Sequence, residues 1–390
     1  MTKISLNRFL FFNFIIMATF NLAHPVTPRM IQELQMPDAM FGVFFALMSI
    51  GSFIMAPIWG SLSDFKGRRR FLLFGVFGYG ITQLGFGLST TIPVILFFRL
   101  LGGAISTSYV TVIMAVIADV SRQSNRAKAL AYLAATTSMG AAVGSLLGGI
   151  IGQTHYQIPF LTQFILCLII CVTLYFFTAE TLSTKKETPF VLSLNHLKFK
   201  RQSYDVTTLL GSMILTVTLL SITTTAYSST ISYYVESILQ LPTQVNGIFL
   251  SFAPISAVFV NFFVSPFIAS RYNELKSLIV IVSVVGILLL GWSLLSGALS
   301  FVMLLLFIAI IPLAQPIYQA IITKLAHNNA GEVLGLQSSA RSLGMILGSL
   351  LSGYIFNLNP KLPFLMGGIT ALVAALLLIK GFKLLNSQQK

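Results

Sequence analysis

The sequence predicts an all-α membrane protein of twelve transmembrane helices in two pseudo-symmetric six-helix halves. Three observations carry that prediction. The chain is too poor in charge for a water-covered surface. Its apolar residues gather into runs of membrane-crossing length, and two segments recur at one fixed shift.

Hydrophobic residues make up 56% of the 390, charged residues only 9%, and the mean hydropathy is +0.88. A soluble domain carries roughly 25% charge, so the expected solvent is lipid. Runs of about 17–25 apolar residues cross a bilayer core of about 30 Å as helices, which satisfy every backbone polar group internally. Twelve such runs lie near 8–28, 39–62, 71–90, 93–118, 129–152, 158–179, 206–235, 244–268, 277–295, 301–323, 333–356 and 363–382. The narrowest separation is the gap at 91–92.

A net charge of +14 suggests a polyanionic partner until its distribution is read. With the N-terminus inside and the loops alternating, twenty of the 24 Lys and Arg residues fall on the inner side, while only Arg29 and Lys361 fall outside. This is the positive-inside bias. It places both termini in the cytoplasm, supports an even number of spans, and removes the case for a nucleic-acid partner. Lys3 and Arg8 precede an apolar run, but "NLAHPVTP" offers no small-residue cleavage site, so the run is expected to stay as span one. Cys167 and Cys171 sit one helical turn apart in span six, a spacing poorly suited to a disulfide.

The duplication is explicit. "QMPDAMFGVFFA" at 35–46 matches "QLPTQVNGIFLS" at 240–251, a shift of 205. "SMGAAVGSLLGGIIG" at 138–152 matches "SLGMILGSLLSGYIF" at 342–356, a shift of 204. The shift equals six spans plus a loop. The expected organisation is an N-terminal half at 1–179, a basic cytoplasmic linker at 180–205, and a C-terminal half at 206–390. Parallel repeats of this kind place a substrate site between the halves, reached by rocking.

Five of the seven residues from Asp64 to Arg70 are charged, within "GSLSDFKGRRR" at 60–70. This stretch resembles the signature loop of the major facilitator superfamily, with Phe65 where a basic residue is usual. "RLLGGA" at 99–104 resembles the family's fourth-span motif. Gly140, Gly144, Gly148 and Gly149 resemble its antiporter motif in span five, with Ser145 where a proline normally follows the second glycine. The resemblance runs along the whole chain. It implies a conformational gate at the loop: Gly60 for close helix approach, Gly67 for the tight turn, Asp64 latching to the start of span eleven, and Arg68 paired with Asp119. The competing reading is a basic loop that only sets topology. The span-five glycines recur as Gly344, Gly348 and Gly353, and they serve close packing, coupling, or both.

Arg99 lies six residues past Pro93, about 9 Å into span four, and Arg341 lies about 12 Å into span eleven. An arginine at a helix centre costs about 2.5–3.5 kcal/mol on insertion scales, so each is expected to face a cavity or partner, or to snorkel. No acid sits near a span centre. The titratable candidates for a coupling proton are His24, on a face shared with Asn13 and Asn21, and Glu236 at the outer end of span seven. His24 also reads as an interfacial histidine before Pro25. The hydroxyl-rich run before Glu236, with Gln315, Tyr318 and Gln319 of span ten, lines a wet cavity or makes ordinary interhelical hydrogen bonds.

Resemblance and residues together point to proton-coupled efflux of small amphipathic or drug-like compounds, with 33 phenylalanines to line an adaptable cavity. The alternative is a carrier of an anionic metabolite or lipid headgroup using Arg99 and Arg341. An enzyme is not expected, since the sequence holds no HExxH, no P-loop and no paired intramembrane acids. Neither a cofactor nor a metal is expected. The expected partners are a small-molecule substrate, protons and the bilayer of a bacterial plasma membrane, with the protein a monomer.

Overall fold

The computed structural model describes residues 6–182, 208–325 and 330–388, and all regular elements among them are helical. In chain order they are α1 (Leu6–Asn21), α2 (Thr27–Glu33), α3 (Met40–Lys66), α4 (Arg68–Leu88), α5 (Ile92–Val120), α6 (Arg126–Ile151) and α7 (Gln157–Phe177). There follow α8 (Leu209–Ser237), α9 (Thr243–Phe259), α10 (Ser265–Arg271), α11 (Glu274–Leu294), α12 (Ala298–Ile310), α13 (Ala314–Leu325), α14 (Ala330–Phe356) and α15 (Leu362–Gln388). Eleven stretches are long and apolar enough to cross a membrane, among them α1 with α2, and α12 with α13. The 27-residue α14, which carries Arg341, takes the place of the twelfth. Most of the linker, from residue 183 onward, lies outside the described residues.

The breaks have local causes. Ser89–Thr91 separates α4 from α5, at the narrow gap ahead of Pro93. Gly67, at φ +101°, divides α3 from α4 in a conformation that a side chain resists. Asn273 caps α11 by accepting the Lys276 N–H at 3.1 Å. Span eight widens into a π-helical turn at Val260–Val264 just before Pro266, which cannot donate to the preceding turn. Span ten tightens to a 3₁₀ turn at Ile311–Leu313 around Pro312.

The chain divides into two compact units. The first holds most of the N-terminal spans together with Val235–Ile255; the second holds most of the C-terminal spans together with Asp38–Ala46. In the first, α4 packs on α5 and α7, and α1 packs on α6. Its core gathers Phe20, Val76, Tyr79, Tyr109 and Ile170. In the second, α11 packs on α12 and α15. There Trp292 is buried against the rings of Phe301, Tyr234 and Phe364, at 5.2, 5.7 and 6.0 Å. Large apolar side chains such as Phe176, Leu294 and Leu376 stand exposed, as lipid-facing residues must. Cys167 and Cys171 are free thiols, and Cys167 is packed beneath Gly80.

Candidate functional site

At the charged loop, Arg68 is buried and its guanidinium lies between two acids. It pairs with Asp64 one turn earlier and with Asp119 at 3.2 Å, and it donates to Ser63 Oγ at 2.7 Å. A third acid completes the loop. The Glu180 carboxylate, just past α7, accepts the backbone N–H groups of Arg68 at 2.8 Å and Arg69 at 3.2 Å. It therefore caps α4, where the helix dipole favours negative charge. Glu180 reaches this position over Gly67, where any Cβ would strike its carboxylate. Partial burial works to raise the Glu180 carboxyl, but backbone N–H donors of Leu182, Arg68, Arg69 and Thr181 outweigh it and hold the group below the usual carboxylate range. At Gly60 an added Cβ would meet the Thr111 methyl at 3.5 Å, an ordinary contact. The close approach expected there does not require glycine. The latch expected from Asp64 ends on a helix start whose side chains, through Glu332, lie outside the described residues.

The glycine ladders have two faces. On one, Gly140, Gly144 and Gly148 lie so close to α1 and the residue after it that an added Cβ would strike the backbone carbonyls of Phe14, Ala18 and Leu22. On the other, a Cβ at Gly149 would meet Thr243 O at 2.8 Å and the Gly247 Cα at 3.0 Å, both at the start of α9. A Cβ on Gly247 would in turn meet Ser145 O at 2.6 Å. Ser251 Oγ donates to Ala142 O at 2.8 Å, and Asn246 Nδ2 donates to Pro25 O at 2.9 Å.

The second unit repeats this plan. Gly344 and Gly348 pack on α8, with Cβ positions 2.7 Å from Ser221 Cβ and 2.9 Å from Ile222 Cα. A Cβ at Gly353 would lie 2.6 Å from Ala39 O and 3.2 Å from Gly42 Cα. Gly42 in turn faces the Ser349 carbonyl. Thus 240–251 meets 138–152 within the first unit, and 38–46 meets 342–356 within the second. Both contacts join the two segments found duplicated in the sequence.

Within the first unit, Arg99 is buried at 5% exposure, its guanidinium 4.8 Å from the centre of the Phe86 ring. It does not snorkel to a surface. His24 and Tyr79 lie within its electrostatic reach, so His24 and Arg99 share one cluster. The helix break before Pro25 explains the polar residues around them. α1 ends at Asn21, so carbonyls of its last turn take donors from neighbouring helices. Gln163 Nε2 reaches Thr19 O at 2.8 Å and Phe20 O at 3.1 Å, and Tyr79 donates to Phe20 O at 3.4 Å. Deeper in α1, Asn13 donates to Thr136 and Thr137 at 2.9 and 3.0 Å and accepts from Tyr109 at 3.1 Å. Asn21, by contrast, bonds its own helix at Met17 O, at 2.8 Å.

Glu236 lies beside the start of α9. Its Oε1 accepts from Thr243 at 3.2 Å, and the Asn246 side chain reaches the carboxylate. Arg29 and Glu33 are within electrostatic reach. Arg29 is occupied by Glu33 at 2.6 Å and by the carbonyls of Gly152, Gln153 and Thr154.

In the second unit a cavity of about 250 Å³ brings Gln315, Tyr318 and Arg341 together, with Ser221 and Thr224 of α8. The bend at Pro312 forms part of its wall. Most other hydroxyls of α8 bond back to their own helix, as Thr216 does to Ser212 O at 2.8 Å and Thr218 to Ile214 O at 3.2 Å. Gln319 pairs with Gln337 at 2.5 Å and is not among the cavity residues.

Two helical units, glycine-packed crossings built from an internal repeat, and a polar cavity at a broken span define a multi-pass membrane transporter. The Major Facilitator Superfamily model matches residues 9–349, and the chain belongs to that family. It is 25% identical over 353 residues to multidrug resistance protein 2 of Bacillus subtilis (strain 168), covering 90% of this chain and 88% of that one. It is also 25% identical to the class H tetracycline resistance protein of Pasteurella multocida, across 93% and 91% of the two chains. Its fold matches a bacterial homologue of the human lysosomal transporter Spinster in an inward-facing and occupied conformation, with a TM-score of 0.76 at 14% identity, covering 97% and 96% of the chains.

Proposed function

We propose that the protein exports small amphipathic compounds from a bacterial cell by alternating access, driven by protons. The observation that carries the alternating-access part is the repeated glycine contact. Each copy is close-packed backbone against backbone, with little side-chain interlocking to break, and its duplication supplies two equivalent contacts for a symmetric change. The names of the two full-length relatives support export of drug-like compounds. The basic inner loops support a plasma-membrane orientation with both termini in the cytoplasm.

Glu236 is the proton site we infer. Among the described acids, Glu33, Asp64, Asp119 and Glu274 pair with cations, Glu180 caps a helix, and Asp38 accepts from Tyr233. Glu236 is hydrogen-bonded by Thr243 and reached by Asn246, both neutral side chains. It can take up a proton without breaking an ion pair, and it sits where α9 packs on α6. The reading is tested in proteoliposomes with an imposed pH gradient and a panel of lipophilic fluorescent compounds. Accumulation that depends on the gradient supports it; equilibration indifferent to the gradient overturns the coupling.

A further inference from the structure

The two span arginines, indistinguishable in sequence, differ in their surroundings. Arg99 is buried against Phe86 and beside Tyr79. Arg341 is exposed, lines the cavity of the second unit, and makes no ion pair or hydrogen bond among the described residues. From this we infer that Arg341 is the docking point for an anionic oxygen group, a carboxylate or phosphate, on the compound transported. The inference rests on the export reading above and adds a chemical class to its substrate.

The cavity's polar lining carries the argument. None of its lining residues is an acid, so no side chain there neutralises the guanidinium. The hydroxyls of Ser221 and Thr224 donate to their own helix, at Val217 O (2.7 Å) and Ser221 O (3.2 Å). The groups that can still donate to a ligand are the Arg341 fork, the Gln315 amide N–H groups and the Tyr318 hydroxyl, the last within electrostatic reach of Arg341. Guanidinium offers paired N–H groups in the geometry of a carboxylate or phosphate. A guanidinium that faces a cavity within a span attracts an anion and repels a cation. The volume of about 250 Å³ falls just below the range of about 300–1,000 Å³ typical for whole drug-sized ligands. It therefore fits a charged headgroup better than an entire amphiphile.

The test is equilibrium binding to the purified full-length protein in nanodiscs, without a gradient. The probes are pyrenebutyrate, its neutral amide and a pyrene trimethylammonium analogue. Wild type should bind the carboxylate about ten- to a hundredfold more tightly than the amide, and the cation no better than the amide. Arg341→Gln should abolish the carboxylate preference and leave amide affinity unchanged, and Arg341→Lys should recover part of it. Competition with a soluble lysophosphatidate separates the two sources of such a group. Displacement that is lost in Arg341→Gln assigns the site to lipid headgroups, and failure to displace assigns it to free organic anions. Equal binding of carboxylate and amide, or a preference that survives in folded Arg341→Gln, overturns the inference. Gradient-driven transport measured in parallel keeps the readings apart. Transport without anion preference sinks this inference alone, whereas Arg341-dependent binding without transport sinks the export reading alone.

Discussion

Glu180 accepts the backbone N–H of Arg68 at 2.8 Å, so the residue just after span six fixes the start of span three. The signature loop is thereby held by three carboxylates: Asp64 and Asp119 on the Arg68 side chain, Glu180 on its backbone.

Replacing Glu180 with alanine should destabilise the protein by about 0.5–1 kcal/mol, the low end for a helix cap because the carboxylate is only partly buried. Since the folded carboxyl is held below its usual range, its contribution is present above the unfolded pKa. It is lost as pH falls through the folded one. Thermal unfolding of wild type and Glu180→Ala in detergent should show a gap at neutral pH that closes on the acid side of the carboxylate range. A gap that widens there would reverse the sign.

Asp64→Asn should impair transport while leaving membrane insertion normal, because it removes one of the two charges that hold Arg68. Arg68→Lys should fail to restore full activity, since an ammonium lacks the planar fork that reaches both acids. Wild-type transport rates in Asp64→Asn would reduce the loop to a topology signal.

Gly149→Ala and Gly353→Ala should each cost about 1–3 kcal/mol through overpacking. Their Cβ atoms would lie 2.8 Å and 2.6 Å from the facing carbonyls of Thr243 and Ala39. Gly335→Ala is the control, because an added Cβ there meets nothing within 4 Å. Unfolding temperature and initial transport rate should fall in the first two variants and hold in the third.

Arg99→Ala should lower thermal stability by more than Arg341→Ala, by about 1–3 kcal/mol. The first removes a buried charge packed on an aromatic ring, the second a side chain exposed to a cavity. Equal shifts in the two variants would contradict the different surroundings described for them.

The spans were legible because lipid imposes length and apolarity on every helix that crosses it, which is a local property. The pairing of Arg68 with Asp119 was implied by the family resemblance of the loop. The role of Glu180 was not, because the contact joins residues 112 apart and depends on how α7 meets α4. Its one signal was an acid standing alone at the head of a basic linker. Both repeats were visible, but not that each copy packs against the other repeat, since register between helices is set by tertiary packing. Arg99 and Arg341 looked alike for the same reason: depth along a helix can be counted from sequence, but the direction a side chain faces cannot.

Proton movement during transport is the most direct test of the account. Proteoliposomes loaded with a pH-sensitive dye, at an imposed gradient, should report a proton flux when a transported amphiphile is added. Glu236→Gln should abolish that flux and gradient-driven accumulation while retaining substrate binding. Unchanged pH-driven transport in Glu236→Gln would contradict the proposed proton site. A wild-type protein that moves substrate with no proton flux would contradict proton-coupled export itself.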